Sequence, residues 1–347
     1  MGGSGTILHY DGAAWSAMTS GTTEYLKGVW GSSGSDVFAV GWNGTILHYD
    51  GTGWSAMSST TSEWLSGVWG SSGSDVFAVG SNGTILHYDG TSWSAMSSGT
   101  TASLDGIWGS SGGDVFAVGN GGTILHYDGT AWSATSGGTY GTLHGVWGSS
   151  ATDVFAVGYN GTILHTSNGG STWTTQSSGT IEPLWGVWGS SATDVYMVAA
   201  GQGEILRYDG SATKVVYTAN SALQGIWGSG PSNIYAVGVQ NTILRYDGSA
   251  WTAMTSGSTE PLMSVAGRAA DDVWVVAGSG HLLHYDGTSW SRLTSSSRSA
   301  SWRNTVARSA DSNSMLRSRI RPSSSSRSLA AAIARQRQEA REAAATI

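Results

Sequence analysis

The chain has 347 residues, with 52 Gly, 18 Trp, 4 Pro and only 11% charged residues; Trp, Val, Ile and Leu recur regularly between the Gly and Ser, which excludes a disordered composition. There is no cysteine, so disulfide frameworks, thiolate zinc sites and cysteine nucleophiles are excluded. The net charge of −7 hides a division: residues 1–291 hold 5 basic and 20 acidic residues, whereas residues 292–347 hold 11 Arg against 3 acids, and the acidic body's field disfavours nucleic acid and anionic membrane as its partners.

The N-terminus, "MGGSGTILHYDG", has neither the basic nor the apolar region of a signal peptide, and no apolar run approaches the roughly 18–20 residues of a membrane span. Met1 falls where Val40 stands in "VGWNGTILHYDG". The chain therefore starts inside a repeat, as a mature fragment, a shortened reading frame or a circularly offset array would. A half unit at Gly5–Met18 is followed by units marked by Trp30, Trp69, Trp108, Trp147, Trp188 and Trp227, with Ala266 in the same place of the last. The steps are 39, 39, 39, 41, 39 and 39 residues, and a fixed period of this length marks a repeat architecture.

Each unit reads as four short strands rich in β-branched and aromatic residues, separated by Gly, Asn, Asp and Ser. In the second unit they are Leu65–Gly70, Asp75–Gly80, Thr84–Tyr88 and Trp93–Met96. Four antiparallel strands in about 40 residues, repeated seven or eight times, predict an all-β propeller rather than an open solenoid. The Gly beside each Val-Trp is expected to answer crowding at the axis. The half unit supplies only the third and fourth strands of a blade. Residues 305–315, "TVARSADSNSM", loosely match 264–274, which favours eight blades with a shared closing blade; seven blades with a spare hairpin is the alternative. The propeller is assigned to residues 1–293, a Ser/Arg-rich segment to 294–327, and a short Ala-rich helix or disordered tail to 328–347.

His9, His48, His87, His126, His165 and His284 all fall in third strands. Equivalent positions lie a blade apart, too far to share one metal ion. The expectation is instead a buried His bonded within its blade to the Asp that opens strand two (Asp36, Asp75, Asp114, Asp153). Asp-Gly pairs such as Asp50 and Asp89 read as turn residues, since calcium needs six to eight oxygens at one point. The Trp opening each fourth strand, such as Trp54 and Trp93, reads as blade packing. No cofactor is implied.

The fourth unit is longer by two residues, and its last turn reads "TSNGGSTW" at Thr166–Trp173. This resembles the Asp-box (BNR-like) pattern, with Thr166 and Asn168 in place of the usual Ser and Asp. The rest of the body resembles repetitive bacterial exported propellers of the photosystem II assembly factor-like, sialidase-like group. The resemblance implies a propeller, an Asp-box that is a structural turn opposite the ligand face, and an exported or cell-surface protein. Its members range from hydrolases to assembly chaperones. A sialidase-like enzyme would need three converging arginines; Arg207, Arg245 and Arg268 lie in different blades and are expected not to share a face.

Differences among the copies locate the candidate site. Gly28–Ser66 and Gly67–Asp105 differ at seven of 39 positions, five of them in the linker before the next first strand. The residue after the linker Leu reads Lys27, Ser66, Asp105, His144, Trp185, Gln224 and Met263. The residue before it includes Tyr25 and Trp64, and the turn between strands two and three adds Trp42 and Tyr159. Chain direction alternates, so linkers and these turns emerge on one face. Drifting loops favour small polar residues; Trp42, Trp64, Tyr159 and Trp185 instead suit a glycan, peptide or protein partner. The expectation is a monomeric, non-catalytic binding scaffold. The alternatives are a glycan-processing Asp-box enzyme and a truncated repeat array without selected function.

Overall fold

A computed structural model describes residues 2–10, 15–278 and 281–293. The short apolar runs form strands, as β-branched and aromatic residues do on a pleated, packed surface. The half unit gives β1 (Ile7–Tyr10) and β2 (Trp15–Met18), an antiparallel pair. The first full unit gives β3 (Leu26–Ser33), β4 (Asp36–Gly41), β5 (Ile46–Tyr49) and β6 (Trp54–Met57), hydrogen-bonded in chain order in one sheet. Six more four-stranded sheets follow, at 65–96, 104–136, 143–176, 184–218, 223–253 and 262–293. The protein is an all-β propeller of four-stranded antiparallel blades. Seven blades are complete, which is the alternative count. The closing half proposed for 305–315, and the segments 294–327 and 328–347, lie outside the described residues.

The half unit takes a blade's place in the ring. Tyr10 lies 4.9 Å from Trp274 of blade 7, as Tyr88 lies 5.4 Å from Phe38 one blade before it. On the other side His9 approaches Tyr49 of blade 1 at 5.7 Å, and Ile7 is buried with Leu26, Ala39 and Leu47. The sheet β1–β2 therefore packs between the seventh and first blades.

In blades 1 to 6 the inner two strands pair Trp with the aromatic opposite, Trp30 with Phe38 in blade 1, and the register slips on both sides, between Leu26 and Gly28 and between Gly31 and Ser33. The same two irregularities recur in every complete blade. Phe38 is fully buried, stacks on His48 at 4.5 Å, and meets Tyr88 and Trp93 of the next blade. Trp93 closes the outer edge by donating its indole N–H to the Met57 sulfur across the blade boundary, 3.4 Å.

In blades 1 to 6 the inner strand carries two glycines with different reasons, one of which corrects the expectation of axial crowding. Gly67, Gly106, Gly145 and Gly186 do face the next blade's inner strand; a Cβ there would lie 3.1–3.3 Å from its atoms. The glycine three residues on answers to the previous blade's Trp. A Cβ on Gly70 would lie 2.8 Å from Trp30, on Gly109 2.6 Å from Trp69, and on Gly148 2.4 Å from Trp108. Gly189, Gly228 and Gly267 stand the same way to Trp147, Trp188 and Trp227. All six Trp are at least nine-tenths buried. Gly109→Ala is thus expected to cost about 1–3 kcal/mol, the usual penalty for overpacking, whereas a Cβ on Gly53 meets nothing within 4 Å. Chemical denaturation of the two variants checks this; equal midpoints would refute the indole-on-glycine contact.

Candidate functional site

The divergent positions form two concentric rows at one end of the ring. The inner row is the second residue of each inner strand. Asp105, His144, Trp185, Gln224 and Met263 line an axial cavity of about 70 Å³, together with the aliphatic side chains of Val68, Ile107, Val146, Val187, Ile226 and Val265. Lys27 and Ser66 continue the row, with the Lys27 ammonium donating to Ser66 Oγ at 3.1 Å. Asp105 Oδ2 stands 3.8 Å from His144 Nδ1. The His144 ring stacks on Trp185 at 4.4 Å with 7° between planes. Each contact joins neighbouring blades. At about 10–15 Å³ per water, the cavity holds a handful of waters rather than a sugar ring or peptide, so a sizeable partner would lie across its mouth.

The outer row combines the residue before the linker Leu with the turn between strands two and three. That turn, Trp42–Gly44 in blade 1, carries Asn43 in the left-handed region at φ 51°. The turn's first amide is held by the linker carbonyl of its own blade: Trp42 N–H to Tyr25 O, Ser81 to Trp64, Asn120 to Ser103 and Tyr159 to Thr142, all 2.8–2.9 Å. Turn side chains also reach the next blade. Trp42 is 4.5 Å from Tyr25 on one side and stacks on Trp64 of blade 2 on the other, at 4.7 Å and 8°. Tyr159 bridges the rows, 5.1 Å from His144.

The two rows differ in exposure. Trp64 and Tyr159 are exposed, at 51% and 45%, but Ser66, His144 and Met263 are buried. They start an inner strand and point where neighbouring blades converge. Tyr25 stands in the same column as Trp64 and joins the outer row through Trp42. Sequence comparison missed Tyr140 and Ile181, exposed at 94% and 83%; both lie three residues before the linker Leu, a column whose other copies are Thr, Ser and Asn.

The opposite end of the blades is repetitive. His48 Nε2 lies 2.7 Å from Asp36 Oδ1, and Ser32 Oγ donates to the other carboxylate oxygen. His87–Asp75, His126–Asp114, His165–Asp153 and His284–Asp272 repeat the pair at 2.6–2.9 Å. The His side chains are half-buried rather than buried. Serine and histidine each bond the Asp, not one another, so the trio is no nucleophile–base pair. Arg207 takes the His place on Asp194 at 2.8 Å, Arg245 on Asn233 at 3.1 Å, and Arg268 bonds Asp272 at 2.5 Å. Contrary to expectation the three arginines lie toward the same end, because all reach the residue opening strand two. Arg207 and Arg268 are held within their own blades, and Arg245 also reaches Tyr285 of blade 7, donating to its hydroxyl at 3.5 Å.

The Asp-Gly turns lie at this end too. Asp50 accepts from the Thr52 hydroxyl and from the Thr52 and Gly53 amides. These bonds, the hydroxyl first, hold its carboxyl down at about 2. Asp128 and Asp247 are lowered to about 2 by the Thr130 and Ser249 hydroxyls first, and Asp286 to about 2 by the Ser289 amide first. In the longer turn of blade 4, Gly170 N–H bonds Thr166 Oγ1 at 2.9 Å and Thr172 N–H bonds Asn168 Oδ1 at 3.0 Å.

No protein-family model matches the chain, and no curated protein matches it. Solved structures do. YCF48 bound to D1 peptide superimposes with a TM-score of 0.61 at 19% identity, covering 81% of this chain and 97% of that one. YCF48 from Cyanidioschyzon merolae gives 0.60 at 16%, covering 79% and 99%. The WD40 propeller domain of Doa1 gives 0.57 at 14%, covering 86% and 97%. These similarities establish the propeller fold.

Two predictions test the scaffold end. Asp114→Ala removes the acceptor of both Ser110 and His126 and is expected to lower unfolding free energy by about 1–3 kcal/mol. The turn carboxyls are lower in the folded chain than the ordinary Asp value of about 3.9. Their contribution is complete above that value and is lost as pH falls through about 2. Melting temperature should fall between about pH 4 and pH 2, less steeply when Asp128 is replaced by Asn.

Proposed function

We propose that the protein is a non-catalytic scaffold that holds an extended segment of another protein across the mouth of the axial cavity. One observation carries the reading: the positions at which near-identical copies diverge gather into two contiguous rows at one end of the ring, where large aromatics are exposed. Interfaces draw on such rings because they bury much area at little entropic cost. A propeller with the same fold has been solved holding a peptide, which supports a peptide over the glycan. The glycan-processing and functionless alternatives draw on no feature of the two rows.

The test is selection of a displayed random-peptide library on the full chain, with a glycan array run in parallel. Selected peptides should lose at least about tenfold in affinity on Trp64→Ala, as a hot-spot aromatic does, against a stability loss of only about 0.5–1.5 kcal/mol from the stack on Trp42. Trp185→Ala should also weaken them. Its ring stacks on buried His144, so a loss of about 0.5–1.5 kcal/mol in stability is expected there. Peptides indifferent to both substitutions would reject the rim. Binding confined to the glycan array would replace the peptide by a sugar.

A further inference from the structure

The outer row can be read in register, because each position repeats blade by blade. Within a blade the turn amide bonds the linker carbonyl. Between blades the turn side chain meets the linker side chain of the next, as Trp42 meets Trp64 and as Asn120 Oδ1 accepts from Thr142 Oγ1 at 3.3 Å. The row therefore runs Tyr25, Trp42, Trp64, Ser81, Ser103, Asn120. Three rings stand in succession, and then two serines.

Trp42 has both faces covered, by Tyr25 and Trp64. Trp64 is half exposed, and among the described residues Trp42 is the one ring stacked on it. The place where the next ring would stand belongs to Ser81, the counterpart of Trp42, and the place beyond it to Ser103, the counterpart of Trp64. The framework around Ser81 is that of Trp42, since Gly67–Gly80 repeats Gly28–Gly41 without a change. The stack stops at Trp64 because the next side chains are short, and not because the backbone turns away. Beyond Trp64 the row continues with the short side chains of Ser81 and Ser103, and the place they leave beside the half-exposed indole is the slot.

Acidic residues outnumber basic ones along this stretch of the sequence. Glu63 precedes Trp64, Asp105 follows Ser103 by two, and Lys27, already bonded to Ser66, is the sole Lys or Arg among residues 1–206. We infer that this slot takes a guanidinium, the arginine side chain of a segment belonging to a partner protein. A guanidinium is planar and weakly hydrated, so it stacks on an indole where an ammonium does not, and it carries the charge that the acidic surround favours. The inference rests on the rim being a peptide site and names the residue that anchors there.

The experiment titrates N-acetyl-arginine amide into the full chain, with the citrulline and lysine amides as controls, and follows each probe by saturation-transfer NMR. Arginine amide should bind in the millimolar range and at least about threefold more tightly than citrulline amide, the discrimination expected of an exposed cation–π contact, and more tightly than lysine amide, whose strongly hydrated ammonium cannot lie flat on the ring. Ser81→Trp should abolish the signal by extending the stack into the slot, with the melting temperature unchanged or raised. Should Ser81→Trp prove unstable, Ser103→Trp fills the slot from the far side. Citrulline binding as well as arginine, or arginine binding undiminished in a stable filled-slot variant, would overturn the assignment. Library peptides that depend on Trp64 yet carry no arginine would keep the peptide rim and reject the guanidinium slot.

Discussion

The ring depends on an indole laid against backbone that carries no side chain. At six successive interfaces the Trp of one inner strand lies over the second glycine of the next, too close for any other residue. Burying an indole of roughly 150–250 Å² is worth about 4–6 kcal/mol by area, against about 0.5–1.5 kcal/mol for a single hydrogen bond. The indole therefore sets the spacing and tilt of adjoining blades, and the His–Asp pairs, the Met–indole bonds and the Asp-Gly turns are arranged around it. The pattern lapses in blade 7, where Ala266 replaces Trp.

Because blade-to-blade packing is carried by the inner strands and the aromatic layer, the two ends of the blades are under unequal constraint. One end closes with Ser–Asp–His trios and Asp turns whose bonds stay within the blade. Where Arg replaces His in blades 5 and 6, it finds the same partner position, on Asp194 or Asn233. At the other end, side chains contact their counterparts in the next blade, as Lys27 meets Ser66 and Trp42 meets Trp64. A change there alters a surface and leaves the packing between sheets intact.

The period, the four strands per unit and the His–Asp pairing were legible in the sequence, because each depends on residues a fixed distance apart within one unit. What depended on contacts between units was harder to read. Comparing copies showed that position 64 varies, but not that Trp64 would lie flat on Trp42, since that needs the turn of one blade to sit beside the linker of the next. The burial of Ser66 and His144 was missed for the same reason: a linker-adjacent residue reads as exposed until the convergence of inner strands at the axis is known. The glycine under each Trp was credited to the axis, because sequence alone shows a Gly one residue after a Trp and not that its ring belongs to the neighbouring repeat. The arginines were misplaced because strand and turn positions look unrelated until both are seen to end on the residue opening strand two.

The indole-on-glycine contact is the same at every interface from Trp30–Gly70 to Trp227–Gly267, so any unit carrying both residues is a valid neighbour for any other. Recombination between such near-identical stretches of gene could insert, delete or reorder whole blades without rebuilding a single junction. Each event would also permute the order of residues along both rows at the variable end. An array of this kind can thus explore new recognition surfaces by shuffling its modules, at a pace that point substitution alone does not reach.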